Sequence, residues 1–221
     1  MGCVAGSFDE TIAVAKKNYY LYCALFIYIC CDFLITIFLL EAGMIKLEFF
    51  TKDDFEQLIQ WIDSETLLIN WSGSLFSFPL TRNSMEWYIR DTNDLNVSDA
   101  LVYKAVDTAT GETVGHISLG GISRKNKSAR ISRVLIGSAA NKGKGYCKQM
   151  ITEILKVGFD EMQLHRISLG VYDYNTAALK CYQTAGFSIE GTMREVLLHE
   201  GKWWSLIEMG MLEKEWNSGS L

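Results

Sequence analysis

The sequence predicts one α/β domain, and three observations support that class. The 221 residues are 49% apolar and 21% charged, which is ordinary for a single domain with a sizeable core. Residues 129–136 form a β-branched run, whereas residues 146–162 carry apolar side chains at helical spacing. A short loop with two glycines joins these two stretches, so a strand, a loop and a helix form the centre of the predicted fold.

Hydrophobic periodicity places the other elements in order along the chain. A capping-box-like start at residues 51–54 begins a first helix, and a second helix begins after Thr81. The aromatic stretch 67–80 predicts a loop, and a later helix opens at Asn175, whose side chain can cap it. Strands are predicted over 44–50, 101–106, 113–122, 129–136, 167–171, 187–198 and 203–212, the last two as a hairpin around 199–202.

Charge and cysteine content exclude two classes of protein. The net charge of −5 leaves no broad basic field, so nucleic acid is not predicted as a partner. The cysteines show neither metal-ligand spacing nor a disulfide framework. We therefore predict no metal site and expect reduced thiols in an intracellular protein. The six positions are 3, 23, 30, 31, 147 and 181.

An apolar run over residues 19–40 precedes the domain and is interrupted by one charge, Asp32. It is long enough to span a membrane, but Lys16 and Lys17 before it would leave the following domain outside the cytoplasm. A simpler interpretation is that Met44 is the true start. If the codon of residue 40 ends in G, the codons of 40–42 contain GGAGG, a bacterial ribosome-binding site.

These considerations define three segments. We expect a leader over residues 1–43, which is either a non-native upstream extension or a membrane-type segment. A domain follows over 44–216, with a tail over 217–221. No membrane contact is predicted unless residues 19–40 are expressed.

The loop after the fourth predicted strand has glycines at 143 and 145, with Lys142 and Lys144 interleaved. Glycine lets backbone approach a ligand closely, and successive N–H groups can point into one concavity. The helix that follows adds a partial positive charge at its N-terminus. These features predict a phosphate-bearing ligand.

Two common phosphate-binding motifs do not fit this loop. A P-loop is excluded because the spacing from Gly137 to Gly143 is one residue too long and Gly145 stands at its Ser/Thr position. A dinucleotide fingerprint needs a third glycine where this chain has Lys148.

Residues 142–147, Lys-Gly-Lys-Gly-Tyr-Cys, resemble the acetyl-CoA loop of the GNAT superfamily of N-acyltransferases, Arg/Gln-x-x-Gly-x-Gly/Ala. Lys142 replaces the usual Arg or Gln, and Cys147 replaces the usual Gly or Ala. Residues 175–187 resemble the family's Asn-x-x-Ala-x-x-x-Tyr-x-x-x-Gly-Phe helix, in the right order and at the usual distance. The resemblance covers roughly residues 44–216 and is closest to the branch with the ribosomal-protein N-terminal acetyltransferases.

The resemblance implies a GNAT fold with a mixed, mostly antiparallel sheet of six to seven strands, splayed at the cofactor site, and about four helices. It implies acetyl-CoA as cofactor and an amine as acceptor in a cytoplasmic enzyme, and it is compatible with a homodimer. In the family, a bulge in the strand before the loop leaves backbone groups free to bind the pantetheine arm. The implied cofactor-binding residues are Val134, Leu135, Ile136, Lys142, Gly143, Lys144, Gly145, Tyr146, Cys147 and Asn175.

Asn175 and Tyr182 are the implied catalytic residues. They are seven residues apart, so they share one face of a helix. By resemblance, Tyr182 would protonate the departing thiolate as general acid; the alternative is a tyrosine that only packs near the sulfur. The general base stays open because residues 130–133 contain no carboxylate. Candidates for the acceptor site are Trp71, Phe76, Phe78, His116, Glu195 and Trp204, of which His116 and Glu195 could also be the base.

Two functional classes follow from these residues. The first is an acetyl-CoA-dependent N-acetyltransferase that acts on a protein α-amine or a small-molecule amine. An α-amine, with a pKa near 8, needs less help from a base than a lysine side chain near 10.4. The second class is an acyl-CoA-binding sensor or scaffold without turnover. It stays a possible function because Lys142 and Cys147 depart from the family pattern and residues 130–133 contain no carboxylate.

Overall fold

A computed structural model describes residues 44–218 of the chain. The predicted leader over 1–43, with its apolar run over 19–40, lies outside the described residues, as do residues 219–221. No helix within the described range has the length and apolar character needed to cross a bilayer.

Seven strands and six α-helices make up the described part of the chain. The strands are β1 (Ile45–Phe49), β2 (Leu101–Asp107), β3 (Thr113–Ser123), β4 (Ser128–Ile136), β5 (Arg166–Tyr172), β6 (Ser188–His199) and β7 (Lys202–Leu212). The helices are α1 (Phe55–Trp61), α2 (Glu65–Ser72), α3 (Arg82–Tyr88), α4 (Tyr146–Leu155), α5 (Thr176–Thr184) and α6 (Glu213–Asn217). Every predicted strand is present within one residue of its predicted bounds.

The seven strands form one sheet in the order β1-β2-β3-β4-β5-β7-β6. The pairing of β4 with β5 is parallel, and the other five pairings are antiparallel. The predicted mixed, mostly antiparallel sheet is therefore confirmed. Helices α4 and α5 pack in one apolar core with residues such as Ile117 and Ile167, while α1 to α3 pack in a second core with Val102 and Leu135.

The prediction of a loop over 67–80 is wrong for its first part, because α2 runs from Glu65 to Ser72. The side chain of Ser64 accepts a hydrogen bond from the Leu67 backbone N–H and caps this helix. The count of about four helices was too low partly for this reason. The predicted start after Thr81 is confirmed, with the Thr81 hydroxyl accepting from the Ser84 N–H at 3.2 Å.

An ion pair fixes the point at which β4 and β5 separate. The Arg130 guanidinium makes two hydrogen bonds, at 2.7 and 2.9 Å, to the carboxylate of Glu208 on β7. This contact crosses β5 at Gly170, the register partner of Glu208. A Cβ at position 170 would lie 2.3 Å from Arg130 Nη2, so the ion pair needs glycine there.

We predict that Gly170→Ala lowers the free energy of unfolding by about 1 kcal/mol, because the new methyl group displaces the partly exposed Arg130 guanidinium and weakens its ion pair with Glu208. Urea titration measures this difference. The matched control is Gly191→Ala in β6, where a Cβ meets no atom within 4 Å. We expect the control to change stability by no more than about 0.5 kcal/mol. Equal stabilities of the two variants would contradict the assignment.

Candidate active site

A cleft opens between β4 and β5 because the two strands pair over only three positions. Residues 128–130 of β4 are in register with residues 166–168 of β5, and no further pairs follow, although both strands continue. From there β5 stays paired with β7, while β4 stays paired with β3. The separation leaves a cleft of about 1290 Å³, and the predicted splaying of the sheet is present.

One wall of the cleft is a bulge in β4. His116 of β3 pairs with Leu135 and Ser118 pairs with Ser132, so two residues of β4, Arg133 and Val134, face one residue of β3. Arg133 has a φ of 55°. The bulge that the family resemblance implied is therefore present. The implied cofactor-binding residues Val134, Leu135 and Ile136 all line the cleft.

The glycine loop has the backbone that was expected of it. Gly143 and Gly145 have φ values of 80° and 81°, and a Cβ at either position would meet no atom within 4 Å. Gly145 is also the N-cap of α4, and it has no side chain to occupy the first N–H groups of the helix. Lys142, Gly143 and Gly145 line the cleft. The loop thus presents free backbone donors to a ligand in the cleft.

Tyr146 anchors this loop to the sheet. Its hydroxyl donates a hydrogen bond to the Asp107 carboxylate at the end of β2, and the ring is 6% exposed. That hydrogen bond is the main reason that the pKa of Tyr146 rises to about 12 and that the pKa of Asp107 falls. Lys144 does not line the cleft; its Nζ donates to Asn141 Oδ1 at 3.2 Å and lies 5.9 Å from the Tyr146 ring centroid.

Asn175 and Tyr182 both line the cleft from α5. The Asn175 Oδ1 accepts from the Ala178 N–H at 3.2 Å, so the predicted cap is confirmed, and its amide nitrogen makes no hydrogen bond within residues 44–218. Tyr182 is 6% exposed, and burial raises the pKa of its phenol well above the usual range. Its hydroxyl has no hydrogen-bond partner among the described residues. The hydroxyl oxygen is not among the fully buried atoms that lack a partner, so it keeps some access to the cleft. The phenol is therefore protonated and available to a ligand.

Cys147 and Cys181 form a disulfide that joins the first turn of α4 to α5. The expectation that all cysteines are reduced is wrong for this pair. Sequence spacing gave no sign of it, because the two residues are 34 positions apart and meet only when the two helices pack on the same face of the sheet. Both residues line the cleft. The cross-link therefore holds the glycine loop and the Tyr182 helix together.

The six candidate acceptor-site residues fall into different environments. Trp71 of α2 is 3% exposed and lines the cleft. Phe76 does not line it but stacks on Trp71, with ring centroids 5.9 Å apart. Phe78 is 42% exposed and lies outside the cleft. The structure therefore brings only Trp71 of these three loop aromatics to the site.

His116 is fully buried and lies behind the cleft wall rather than in it. Its Nδ1 donates to the Arg133 carbonyl at 3.0 Å, and its Nε2 is buried with no partner among residues 44–218. Burial lowers the pKa of His116 to about 4, so the ring is neutral near pH 7. Because it is enclosed by Phe50, Trp71 and Tyr88, the ring supports the bulge and does not reach an acceptor.

The two candidates on the β6–β7 hairpin also lie outside the cleft. Glu195 is exposed on β6, with its backbone N–H donating to Ser205 Oγ at 3.3 Å. Trp204 is 9% exposed and packs on Tyr172 and Tyr174, with ring centroids 5.3 and 4.3 Å away. Its neighbour Trp203 is 57% exposed, as expected for adjacent residues on a strand.

Sequence reasoning missed several residues that line the cleft. Tyr172 and Tyr174 stand at the end of β5, where the predicted strand stopped one residue short. Arg133 was noted only as part of a segment without a carboxylate, yet the residue lines the cleft. The one available signal was its position in a strand expected to carry a bulge, since a bulge redirects the side chains beside it.

Comparison with known proteins identifies the same family along this part of the chain. Residues 45–188 match the family model of the acetyltransferase (GNAT) domain. An SPbeta prophage-derived uncharacterised N-acetyltransferase of Bacillus subtilis (strain 168) is 26% identical over 138 residues, which cover 62% of this chain and 75% of that protein. The L-amino acid N-acetyltransferase of Escherichia coli (strain K12) is 27% identical over 93 residues, 42% of this chain and 57% of that protein.

Among solved structures, the chain is similar to the spermidine N-acetyltransferase of Vibrio cholerae in complex with CoA and spermine. The TM-score is 0.68 at 20% identity, and the match covers 79% of this chain and 98% of that chain. At this level of identity the comparison shows a shared fold.

The buried His116 predicts a pH dependence of stability. Its folded pKa of about 4 lies below the usual 6.5, so the unfolded state binds more protons between these values. Stability from this group is complete above pH 6.5 and is lost as the pH falls toward 4. We expect His116→Gln to remove on the order of 2 kcal/mol of the stability difference between pH 7 and pH 5. The control is His165→Gln, because His165 is exposed beside Glu213.

Urea unfolding at the two pH values measures both variants. The same pH slope in wild type and His116→Gln would contradict a neutral, buried His116.

Proposed function

Since the chain belongs to the acetyltransferase (GNAT) family, whose members use acetyl-CoA, we propose that it transfers an acetyl group to a primary amine with Tyr182 as general acid. The acceptor is a protein N-terminal α-amine or a small-molecule amine. The observation that carries the proposal is the placement of the glycine loop, the bulge and the buried phenol of Tyr182 around one cleft. The non-catalytic alternative is not favoured, because the matching relatives are named as N-acetyltransferases.

The described residues fit acetyl-CoA. Free N–H groups at the glycine loop and the start of α4 suit a pyrophosphate, and Lys142, Lys148 and Lys180 add positive charge along the cleft. Backbone groups of residues 134–136, which have no partner strand on the cleft side, suit the amides of a pantetheine arm. The amide nitrogen of Asn175 is a further donor. Acetyl-CoA supplies the thioester whose carbonyl carbon the amine attacks.

The amine nitrogen forms an amide bond with the carbonyl carbon as the C–S bond breaks. The nitrogen then loses a proton to solvent, and the sulfur must gain one. Tyr182 holds such a proton on its phenolic oxygen, and burial keeps it there across the physiological pH range. A hydroxyl without another hydrogen-bond partner is free to donate to a departing thiolate. Tyr182 and Asn175 share one face of α5, which supports a joint position beside the thioester.

No strong base is included in the proposal. Asp63 is the one carboxylate among residues 44–218 that lines the cleft, and it is exposed. His116 is neutral but shielded behind the wall. The cleft therefore suits an amine with a lowered pKa, such as an α-amine, which is already partly neutral near pH 8.

Three finer predictions remain part of this proposal. The first is membership of a branch close to the ribosomal-protein N-terminal acetyltransferases. The relatives described above include an uncharacterised enzyme and an enzyme that acts on L-amino acids. A bacterial, cytoplasmic location, where acetyl-CoA is available, is the second. A homodimer is the third; the spermidine N-acetyltransferase of Vibrio cholerae, a structural neighbour, has been solved as a dodecamer.

We predict that Tyr182→Phe lowers kcat by about 100-fold or more, since only the proton donor is removed, while affinity for coenzyme A stays within about threefold. A coupled thiol-release assay with a panel of primary amines measures turnover, and calorimetry measures affinity. The control is Tyr103→Phe, because Tyr103 is also buried but stacks on Phe49 outside the cleft. Full turnover by Tyr182→Phe would exclude the general-acid role, and coenzyme A binding without any amine-dependent release would favour the non-catalytic alternative.

We predict that Gly145→Ala weakens coenzyme A binding by about tenfold, because alanine resists the left-handed backbone that opens the loop. Calorimetry with the folded variant measures the change. Gly201→Ala provides the matched control, as Gly201 has a φ of 76° and equally free space but lies in the β6–β7 turn. Equal affinity of both variants would exclude the loop as the pyrophosphate site.

A further inference from the structure

We propose that Arg133 binds a carboxylate of the acceptor, so that the preferred acceptor is a free α-amino acid or a close analogue rather than a polyamine. This inference rests on the proposed N-acetyltransferase function and adds the substrate class. It is carried by the place of Arg133 in the bulge, by the lack of a carboxylate partner for it among residues 44–218, and by the charge of the residues around it.

The bulge decides on which side of the sheet Arg133 lies. Ala129 and Ile131 belong to the core under α4, and strict alternation would place residue 133 on that same side. Instead, the extra residue reverses the alternation, and Leu135 belongs to the opposite core under α1 to α3. The guanidinium of Arg133 lies on that second side, 4.7 Å from the ring centroid of Tyr88 on α3, and Arg133 is one of the residues that line the cleft.

Among the described residues, the polar contacts of the guanidinium are with the neutral side chains of Ser132 and Tyr88, and none is with a carboxylate. Its Nη1 lies 3.5 Å from Ser132 Oγ, at the limit of a hydrogen bond, and its Nε is buried without a partner. No carboxylate within residues 44–218 forms an ion pair with it. A cation that is partly withdrawn from water without an anion is costly, so a bound anion would be strongly favoured there.

Three other arginines in the same fold are neutralised by a carboxylate of the protein. Arg130 is paired with Glu208 and Arg166 with Glu190. Arg82 also lies over an aromatic ring, 5.3 Å from the centroid of Phe55, but it is paired with Glu56 at 2.9 Å. Arg90, Arg124 and Arg194 also form no ion pair within residues 44–218, but they do not line the cleft, whereas Arg133 does.

The surroundings of Arg133 favour an anionic acceptor over a cationic one. The adjacent His116 is neutral near pH 7, and Tyr88 and Trp71 are uncharged. Only Asp63, which is exposed, contributes a carboxylate to the cleft within the described range. A polyamine would bring a second ammonium group toward the Arg133 charge, whereas a carboxylate matches the planar fork of a guanidinium.

The test compares acceptors that differ only in one charge. L-alanine, L-methionine and L-phenylalanine are each compared with the corresponding α-amide in the thiol-release assay. The nearby carboxylate raises the pKa of the amine, so the amide carries more neutral amine and is intrinsically the better nucleophile. We nevertheless expect kcat/KM to be about 10- to 100-fold higher for at least one acid than for its amide, as for a charge-assisted hydrogen bond.

Variants connect this preference to the residue. Arg133→Met should lower kcat/KM for the acid by about 10- to 100-fold and leave the amide unchanged, and Arg133→Lys should retain part of the preference. Arg82→Met is the control, since it removes a guanidinium from an aromatic ring outside the cleft. Calorimetry with coenzyme A present gives a readout without turnover. An N-acetyl amino acid should bind to wild type more tightly than its amide does, and this difference in affinity should be absent in Arg133→Met.

Several outcomes would overturn the inference. Equal use of acids and amides, higher kcat/KM for spermidine or a peptide α-amine, or an equal loss for acid and amide in Arg133→Met would each exclude carboxylate recognition by Arg133. In those cases, turnover of acceptors that lack a carboxylate would still support the acetyltransferase function. Release of thiol with none of the amines would overturn both proposals together.

Discussion

The short parallel pairing of β4 with β5 is the constraint on which the rest of the structure depends. Parallel strands tend to be buried and paired along their length, yet here only three positions pair before the strands separate. The Arg130–Glu208 ion pair spans β5 at this point, and Gly170 leaves room for it. Since β5 remains fully paired with β7, and β4 stays paired with β3 on both sides of its bulge, the cleft forms without leaving either strand unsupported.

Two further features form the candidate site where the strands separate: the bulge in β4 and the anchored glycine loop. The bulge in β4 exposes backbone groups and moves Arg133 to the side of α3, and the neutral, buried His116 holds the bulge through the Arg133 carbonyl. On the other side, the glycine loop is anchored by the hydrogen bond from Tyr146 to Asp107. The Cys147–Cys181 disulfide then joins the start of α4 to the helix that carries Tyr182. The proposed cofactor-binding and acceptor-binding groups therefore approach the cleft from opposite faces of one sheet.

Much of this architecture could be predicted from residues close together in sequence. The seven strands follow from period-two alternation, and the caps of α3 and α5 follow from Thr81 and Asn175. The glycine loop and the Asn175–Tyr182 helix were identified because each is a contiguous motif whose chemistry is local. Helix α2 was missed since Ser64, which caps it, precedes an aromatic stretch with weak periodicity.

The sequence by itself determined the elements, the loop that suits a pyrophosphate and the helix that presents Tyr182, because each depends on backbone conformation and spacing within about a dozen residues. Only the tertiary structure decided that Trp71 lines the cleft whereas Phe78, Glu195 and Trp204 do not, and that Cys147 meets Cys181. It also decided that Arg133 lies beside Tyr88 without a carboxylate partner in the described part of the chain. The physical reason is that burial, pairing and side-chain direction depend on contacts between elements distant in the chain, and a one-residue bulge is enough to reverse which face a side chain occupies.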